Sequence, residues 1–259
     1  MSGGVVRCER RDGVATMVLS NPERRNALTP SMLASLTNAL GEAEGDPDVR
    51  VAVISGEGSV FSSGFDFGSF PTAADLGDED DVTRAAEAIA RSRLATIALL
   101  NGDTLGAALD LALAADFRLA VSSARLGITA ARLGVVYSWQ GIARFVDTLG
   151  PRAARRLLLT GEVVSASEAL ALGAVDEVAG ETDELAQLGR AWSERLLRSA
   201  PGSVGGTKRV LTLLAQSSRL SDSARAEVLG IRRRALESDD LREGLAAFSE
   251  RRSPVFRGT

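Results

Sequence analysis

Asp110 is an acid inside a run of alanine and leucine, Leu105-Gly106-Ala107-Ala108-Leu109-Asp110-Leu111-Ala112-Leu113-Ala114. The run reads as a buried helix from Leu105 to Ala114, entered after a turn at Asn101-Gly102. A helix start carries N–H groups that lack a partner within the helix, together with the positive end of the dipole. Small residues such as Gly106-Ala107-Ala108 let the oxygen of another molecule approach that backbone closely. A carboxyl one turn further in could move a proton beside such an oxygen, or could be a satisfied polar group of the core. A second stretch of this kind, Gly56-Glu57-Gly58-Ser59-Val60-Phe61-Ser62-Ser63-Gly64-Phe65-Asp66-Phe67, follows the apolar run Val49 to Ser55. It reads as a phosphate or oxyanion cradle, or as an ordinary loop. Its Gly-x-Gly lacks the third glycine of a dinucleotide fingerprint, and Gly206-Thr207-Lys208 lacks the order of a phosphate loop.

The chain has no histidine, so Ser-His-Asp and Cys-His catalysis and histidine-ligated metals are excluded. Acid–base work falls to carboxylates, to Tyr137, to the single lysine Lys208, or to an intermediate held by backbone. The single cysteine, Cys8, excludes an intramolecular disulfide and a cysteine-based zinc site. A net charge of −4 gives no support for nucleic acid as a partner. No run of membrane-spanning length and no signal peptide is evident, so the expectation is a cytoplasmic protein away from membranes. Positive charge is almost all arginine, so anion contacts would be forked and permanent.

The elements that must position these residues alternate. Strands are expected at Val5 to Arg10, Val14 to Ser20 (a hairpin over Asp12-Gly13), Val49 to Ser55, Ala95 to Leu100, Phe117 to Val121 and Val175 to Val178. Helices are expected from Thr29-Pro30 to about Glu44, over Val82 to Arg93, Gly141 to Leu149 and Pro151 to Leu159, and from the capping box at Ser165-Ala166-Ser167-Glu168 to Leu172. Pro71 to Asp81 reads as a mobile acidic surface segment, and Ala124 to Leu133 as a short irregular passage. After Asp183 the pattern is all helix: Glu184 to Arg198, Val204 to Gln216, Ser221 to Leu236 and Asp239 to Arg251. The expected division is a core over residues 1–182 and a helical region over 183–259.

Two small-residue loops after strands, each followed by an acid, with further segments in order, resemble the crotonase (enoyl-CoA hydratase/isomerase) superfamily. Asn21-Pro22-Glu23-Arg24-Arg25-Asn26-Ala27-Leu28 looks like its first coenzyme A loop. Phe61 to Asp66 and Asn101 to Asp110 look like its two oxyanion-hole segments. Leu157 to Val178 and Ser253-Pro254-Val255-Phe256 match later passages. The resemblance implies an α/β fold, a spiral of ββα units with a C-terminal helical trimerisation region, assembled as homotrimers or hexamers. It implies an acyl-CoA thioester as the partner, with no separate cofactor, since coenzyme A arrives as part of the substrate. The carbonyl oxygen would be held by the amides of Phe65 and Ala107 as an enolate forms. Ser63, Gly64, Asp66, Gly106 and Ala130 would be among the residues that bind the substrate. Arg24, Arg25, Ala27 and Lys208 would contact the coenzyme A portion.

The pattern also departs from the family. Asp110 stands at the first catalytic glutamate, one methylene shorter, and Ala130 stands at the second. Thr129 replaces a proline beside it. The Gly-rich passage that follows is Val136-Tyr137-Ser138-Trp139-Gln140-Gly141, where Tyr137 or Gln140 could position a water or an acyl substituent and Trp139 could pack in the core or line the pocket. Two functions follow. One is an enzyme with Asp110 as its single acid–base group: an isomerase, a decarboxylase or an atypical hydratase. The other is a non-catalytic acyl-CoA-binding protein of the same fold. The carboxylate kept at 110 favours the first and its loss at 130 the second.

Overall fold

The apolar runs become strands whose burial separates them into two kinds. The computed structural model describes residues 4–69, 80–216 and 222–255. Strand β2 (Val14–Ser20) alternates, with Ala15, Met17 and Leu19 turned fully inward. Strands β3 (Val51–Gly56), β5 (Ala95–Leu100) and β7 (Phe117–Val121) are buried along most of their length, as parallel strands covered on both faces must be. With β1 (Val5–Arg11) at one edge and β10 (Glu177–Ala179) at the other, they form a six-stranded sheet in the order β1-β2-β3-β5-β7-β10. Helix α1 (Pro30–Gly45) starts where Thr29 caps the amide of Met32 at 3.2 Å, and it buries Met32, Leu33, Leu36 and Leu40.

A second sheet is built from three-residue strands. β4 (Val60–Ser62), β6 (Asp103–Leu105), β8 (Arg125–Gly127) and β9 (Val163–Ser165) lie in that order, β4, β6 and β8 parallel. The chain therefore repeats one move: a long strand in the first sheet, a short strand in the second, then a helix. β3 and β4 lead to α2 (Asp81–Arg91), β5 and β6 to α3 (Ala107–Ala114), and β7 and β8 to α4 (Trp139–Thr160). After β9 come α5 (Ala166–Ala171) and β10. Helices α6 (Thr182–Leu197), α7 (Pro201–Gln216), α8 (Asp222–Glu237) and α9 (Asp239–Ser249) close the chain. α6 packs on β3, β5, β7 and β10, α7 on α2 and β5, and α9 on the turn over residues 130–133. The architecture is the spiral of ββα turns with a C-terminal helical region.

Six features differ from the sequence expectations, and three of them have the same cause. β4 lies in what reads as a loop, β8 in what reads as irregular chain, and β9 just ahead of the capping box. Three residues carry no periodicity, so tertiary pairing alone makes them strands. Leu105 belongs to β6, not to the helix, because Gly106 at φ 58°, ψ −128° breaks the chain before α3. The two helices expected over 141–159 run together as α4 but are separated at Gly150, φ 73°, ahead of Pro151. Asp80 and Asp81, expected in a surface segment, cap and open α2; residues 71–79, Ser221 and Phe256 lie outside the described residues.

Candidate active site

The two small-residue loops leave the carboxyl ends of β4 and β6 side by side. Gly64, at φ 98°, lies so close to the second loop that a Cβ there would stand 2.7 Å from the Leu105 carbonyl oxygen and 3.5 Å from the Ala107 nitrogen. Its positive φ and this contact both require glycine. Leu28 N–H donates to the Gly64 carbonyl at 2.8 Å and Asp66 N–H donates to the Leu28 carbonyl at 2.9 Å. That parallel bridge turns the amide of Phe65 away from the 24–28 loop. Ala107 is the first residue of α3, where helix amides have no intrahelical acceptor. Phe65 and Ala107 line one cavity of about 260 Å³, together with Ser63, Gly64, Gly106, Asp110, Ala130 and Tyr137.

Asp110 sits one turn into α3, 1% exposed, and its Oδ1 accepts from Arg144 Nε at 2.9 Å. Arg144 comes from α4, and its Nη2 is buried without an acceptor among the described residues. Burial pushes the Asp110 carboxyl above the usual aspartate range, while the Arg144 charge and hydrogen bond pull the other way. The outcome is a carboxyl readier to hold a proton than an exposed aspartate. Tyr137 packs against the same residues: a Cβ on Gly106 would be 3.8 Å from its hydroxyl, and one on Gly141 would be 3.2 Å from its ring and 3.0 Å from Asp110 Oδ2. Burial first, then the charges of Asp110 and Asp80, push the Tyr137 hydroxyl well above its ordinary value, so it stays a neutral donor.

Three helices point their amino ends at this cavity. Asp80, Asp81 and Val82 belong to the start of α2, Gly106 and Ala107 to that of α3, and Ser138 caps α4. Each brings a partial positive charge to the cavity. The Thr83 and Ser138 hydroxyls bond each other at 3.0 Å and tie two of these ends together. Asp80 accepts from the Thr83 amide and from Arg232 of α8, and Asp81 pairs with Arg84, so these cavity carboxylates are both neutralised.

The remaining expected residues do not line this cavity. Ala27 is buried, and Trp139 is a half-buried first residue of α4. Arg24 pairs with Asp66 at 3.0 Å and Arg25 with Asp103 at 2.7 Å. Arg25 and Asn26 are both left-handed, φ 53° and 55°, each costing about 1–2 kcal/mol. The Asn26 amide offsets this by donating to the carbonyls of Glu57 at 2.9 Å and Val60 at 2.8 Å. Lys208 corrects the sequence reading. It is 7% exposed, and its ammonium donates to the carbonyls of Ile89 and Leu94, to Thr96 Oγ1 and to Asp116 at 2.7 Å. It fastens α7 to the core because a buried ammonium needs every donor satisfied. Sequence reasoning missed Arg144, Arg232 and Leu236; nothing local in their helices distinguishes them from other face residues.

The family model described as "Enoyl-CoA hydratase/isomerase" matches residues 9–259. The chain belongs to the enoyl-CoA hydratase/isomerase family. It is 36% identical over 249 residues to a putative enoyl-CoA hydratase of Thermus thermophilus, covering 94% of this chain and 97% of the relative. It is 33% identical over 257 residues to (E)-benzylidenesuccinyl-CoA hydratase of Thauera aromatica, covering 98% and 99%. Methylmalonyl-CoA decarboxylase in complex with 2-nitronate-propionyl-CoA is similar in structure, with a TM-score of 0.91, 25% identity, and coverage of 98% and 99%. The family's relatives here are enzymes: hydratases, an isomerase and a decarboxylase. Among the described residues no helix is long and apolar enough to cross a membrane.

Proposed function

We propose that this member of the family is an enzyme that binds an acyl-CoA thioester, holds its carbonyl oxygen on the amides of Phe65 and Ala107, and passes it through an enolate protonated by Asp110. The observation that carries this reading is the buried carboxyl of Asp110 on α3, raised above the usual aspartate range by that burial, with Ala130 where a second acid would stand in the same cavity. Adding water across an enoyl double bond needs one group to take a proton from water and another to give one to carbon. Alanine can do neither. Loss of carbon dioxide from an α-carboxyacyl-CoA needs less. The electrons of the breaking carbon–carbon bond move into the thioester carbonyl, the two amides hold the resulting oxyanion, and one proton is then delivered to carbon. Each preorganised donor of that kind contributes about 3–4 kcal/mol to such a step. Tyr137 would orient the acyl substituent as a neutral donor. The similarity to a decarboxylase at a TM-score of 0.91 supports the same outcome.

Atypical hydration is the second reading, favoured by the 33% identity to a hydratase of a bulky acyl-CoA. The non-catalytic alternative is disfavoured by the carboxyl of Asp110 kept buried in the cavity wall. The helices over 183–259 would form the assembly region of a homotrimer or hexamer, supported by the exposed Val210, Leu211 and Leu213 of α7. A panel of α-carboxyacyl-CoA and trans-2-enoyl-CoA esters, aryl-substituted ones included, tests the proposal. The expected result is release of carbon dioxide from the first group and no hydration of short enoyl esters. Efficient hydration of an unbranched enoyl-CoA would overturn it.

A further inference from the structure

Helix α4 meets Asp110 with two residues, Gly141 and Arg144, that share a face because they lie three positions apart. Arg144 Nε donates to Asp110 Oδ1 at 2.9 Å, and the arginine side chain is 11% exposed. Its Nη2 is buried without an acceptor among the described residues. An arginine that only fastens elements together spreads its donors over carbonyls. Arg93 does so, binding those of Glu44 through Nε at 2.9 Å, of Asp46 through Nη2 at 2.9 Å and of Val49 through Nη1 at 3.3 Å. Arg144 instead leaves a donor unused and sets its charge on one carboxyl.

The two oxygens of that carboxyl are thereby made unequal. Oδ1 faces a permanent N–H donor, so a proton placed on it would oppose that donor. Oδ2 accepts no hydrogen bond among the described residues, and the proton belongs there. A Cβ on Gly141 would stand 3.0 Å from Oδ2, 3.2 Å from Ser138 Oγ and 3.2 Å from the Tyr137 ring, and Ser138 and Tyr137 both line the cavity. Glycine at 141 therefore leaves room beside Oδ2. The other charges that act on Asp110 come from α2. Asp80 and Glu87 raise its proton affinity, and each is itself paired, Asp80 with Arg232 at 2.6 Å and Glu87 with Arg91 at 2.7 Å. Asp81 pairs with Arg84. The strands packed on α3 give their charges to other partners, Asp103 of β6 to Arg25 and Arg125, and Arg118 of β7 to Asp176. Arg144 is the cation that acts on Asp110.

We infer that Arg144 is the positioning residue of the proton transfer: it fixes the exchangeable proton on Asp110 Oδ2 and balances the charge left when that proton goes. This rests on the reading of the site as one that forms an enolate. The Oδ2–H bond breaks, its electron pair stays on the carboxylate, and the proton forms a C–H bond with the enolate carbon as the thioester carbonyl is restored. A buried carboxyl is a poor acid when the anion it leaves has no counter-charge; with Arg144 the result is an ion pair. The measurement is kcat for carbon dioxide release against pH, with Tm alongside, in the intact protein, Arg144→Gln and Arg144→Lys. In the intact protein kcat falls as pH rises through the Asp110 value. Glutamine keeps an N–H donor and removes the charge, so in Arg144→Gln that fall should move to higher pH by about 1–3 units, the shift an opposite charge produces. Its kcat on the acid side should drop about tenfold, because a weaker acid gives up its proton less readily. Arg144→Lys keeps the charge without the planar fork and should bring the fall part of the way back. The Tm of Arg144→Gln should also decline more steeply than the parent's as pH rises, which reads the same coupling even if the variant folds only at low pH. A fall in kcat at the parent's pH in both variants, with Tm lowered equally at every pH, would show a purely structural tie and overturn the role while leaving the enolate reading in place. No carbon dioxide release by the intact protein from any ester would overturn that reading and the role with it.

Discussion

Replacing Asp110 by asparagine tests the chemistry and the packing of the site at once. Asparagine keeps the shape and one acceptor for Arg144 Nε, but removes the charge and the exchangeable proton. Arg144 is 11% exposed, its Nη2 has no acceptor among the described residues, and Asp110 is its ion-pair partner. Removing one member of a buried pair costs about 3–5 kcal/mol, and the retained acceptor places this case near about 3 kcal/mol. For a chain of this size that is a fall in Tm of roughly 6–12 °C. The loss of the proton donor should lower kcat by about 10²–10⁴-fold with little change in KM. Asp110→Asn with Arg144→Met should recover most of the stability and none of the turnover, which separates the two roles. The pH dependence carries a sign. Burial raises the folded-state pKa above the ordinary 3.8, so the fold is favoured by the bound proton at low pH, and that contribution is lost as pH rises through the folded-state value. The protonated acid is the donor, so kcat should fall along the same rise in pH, and Asp110→Asn should lack that limb. Calorimetry and steady-state turnover at 25 °C decide it. Turnover by Asp110→Asn within tenfold of the parent would refute the role given to Asp110.

Lys208→Met leaves Asp116 without its buried ammonium and should lower Tm by several degrees, while affinity for an acyl-CoA ester stays within twofold; a selective loss of affinity would restore Lys208 to the binding site. Gly106→Ala forces an L side chain onto φ 58°, ψ −128° at the start of α3, a backbone strain of about 1–3 kcal/mol. It should displace the Ala107 amide and cost about 10²-fold in kcat; near-parental kcat would show that this amide does not hold the reacting oxygen.

The long elements were legible because their cues are local. Thr29-Pro30 marks the start of α1, Ser165 to Glu168 forms the capping box of α5, and the apolar runs of β2, β3, β5 and β7 have the length and composition of strands. Gly64, Phe65, Gly106, Ala107, Asp110, Ala130 and Tyr137 could be named from the chain because each lies in a recognisable motif, and they share one cavity. Lys208 was misjudged because a lysine in a polar-looking helix gives no sign of the four interior acceptors that bind it. Arg144 and Arg232 gave no signal at all, since an arginine on an amphipathic helix reads the same whether it meets solvent or a buried aspartate.

Order along the chain thus determined the alternation of strand and helix, the absence of histidine chemistry, and which backbone stretches are small enough to approach an oxygen. What needed three dimensions was everything with a partner far away. The second sheet exists only because segments from 60 to 165 pair, the charge on Asp110 is balanced from 34 residues on, and Arg25 and Arg125 meet on Asp103. Propensity, capping and turn chemistry act over a few residues and are written locally. Desolvation and ion pairing depend on which atoms the fold brings together, so only the tertiary structure could assign them.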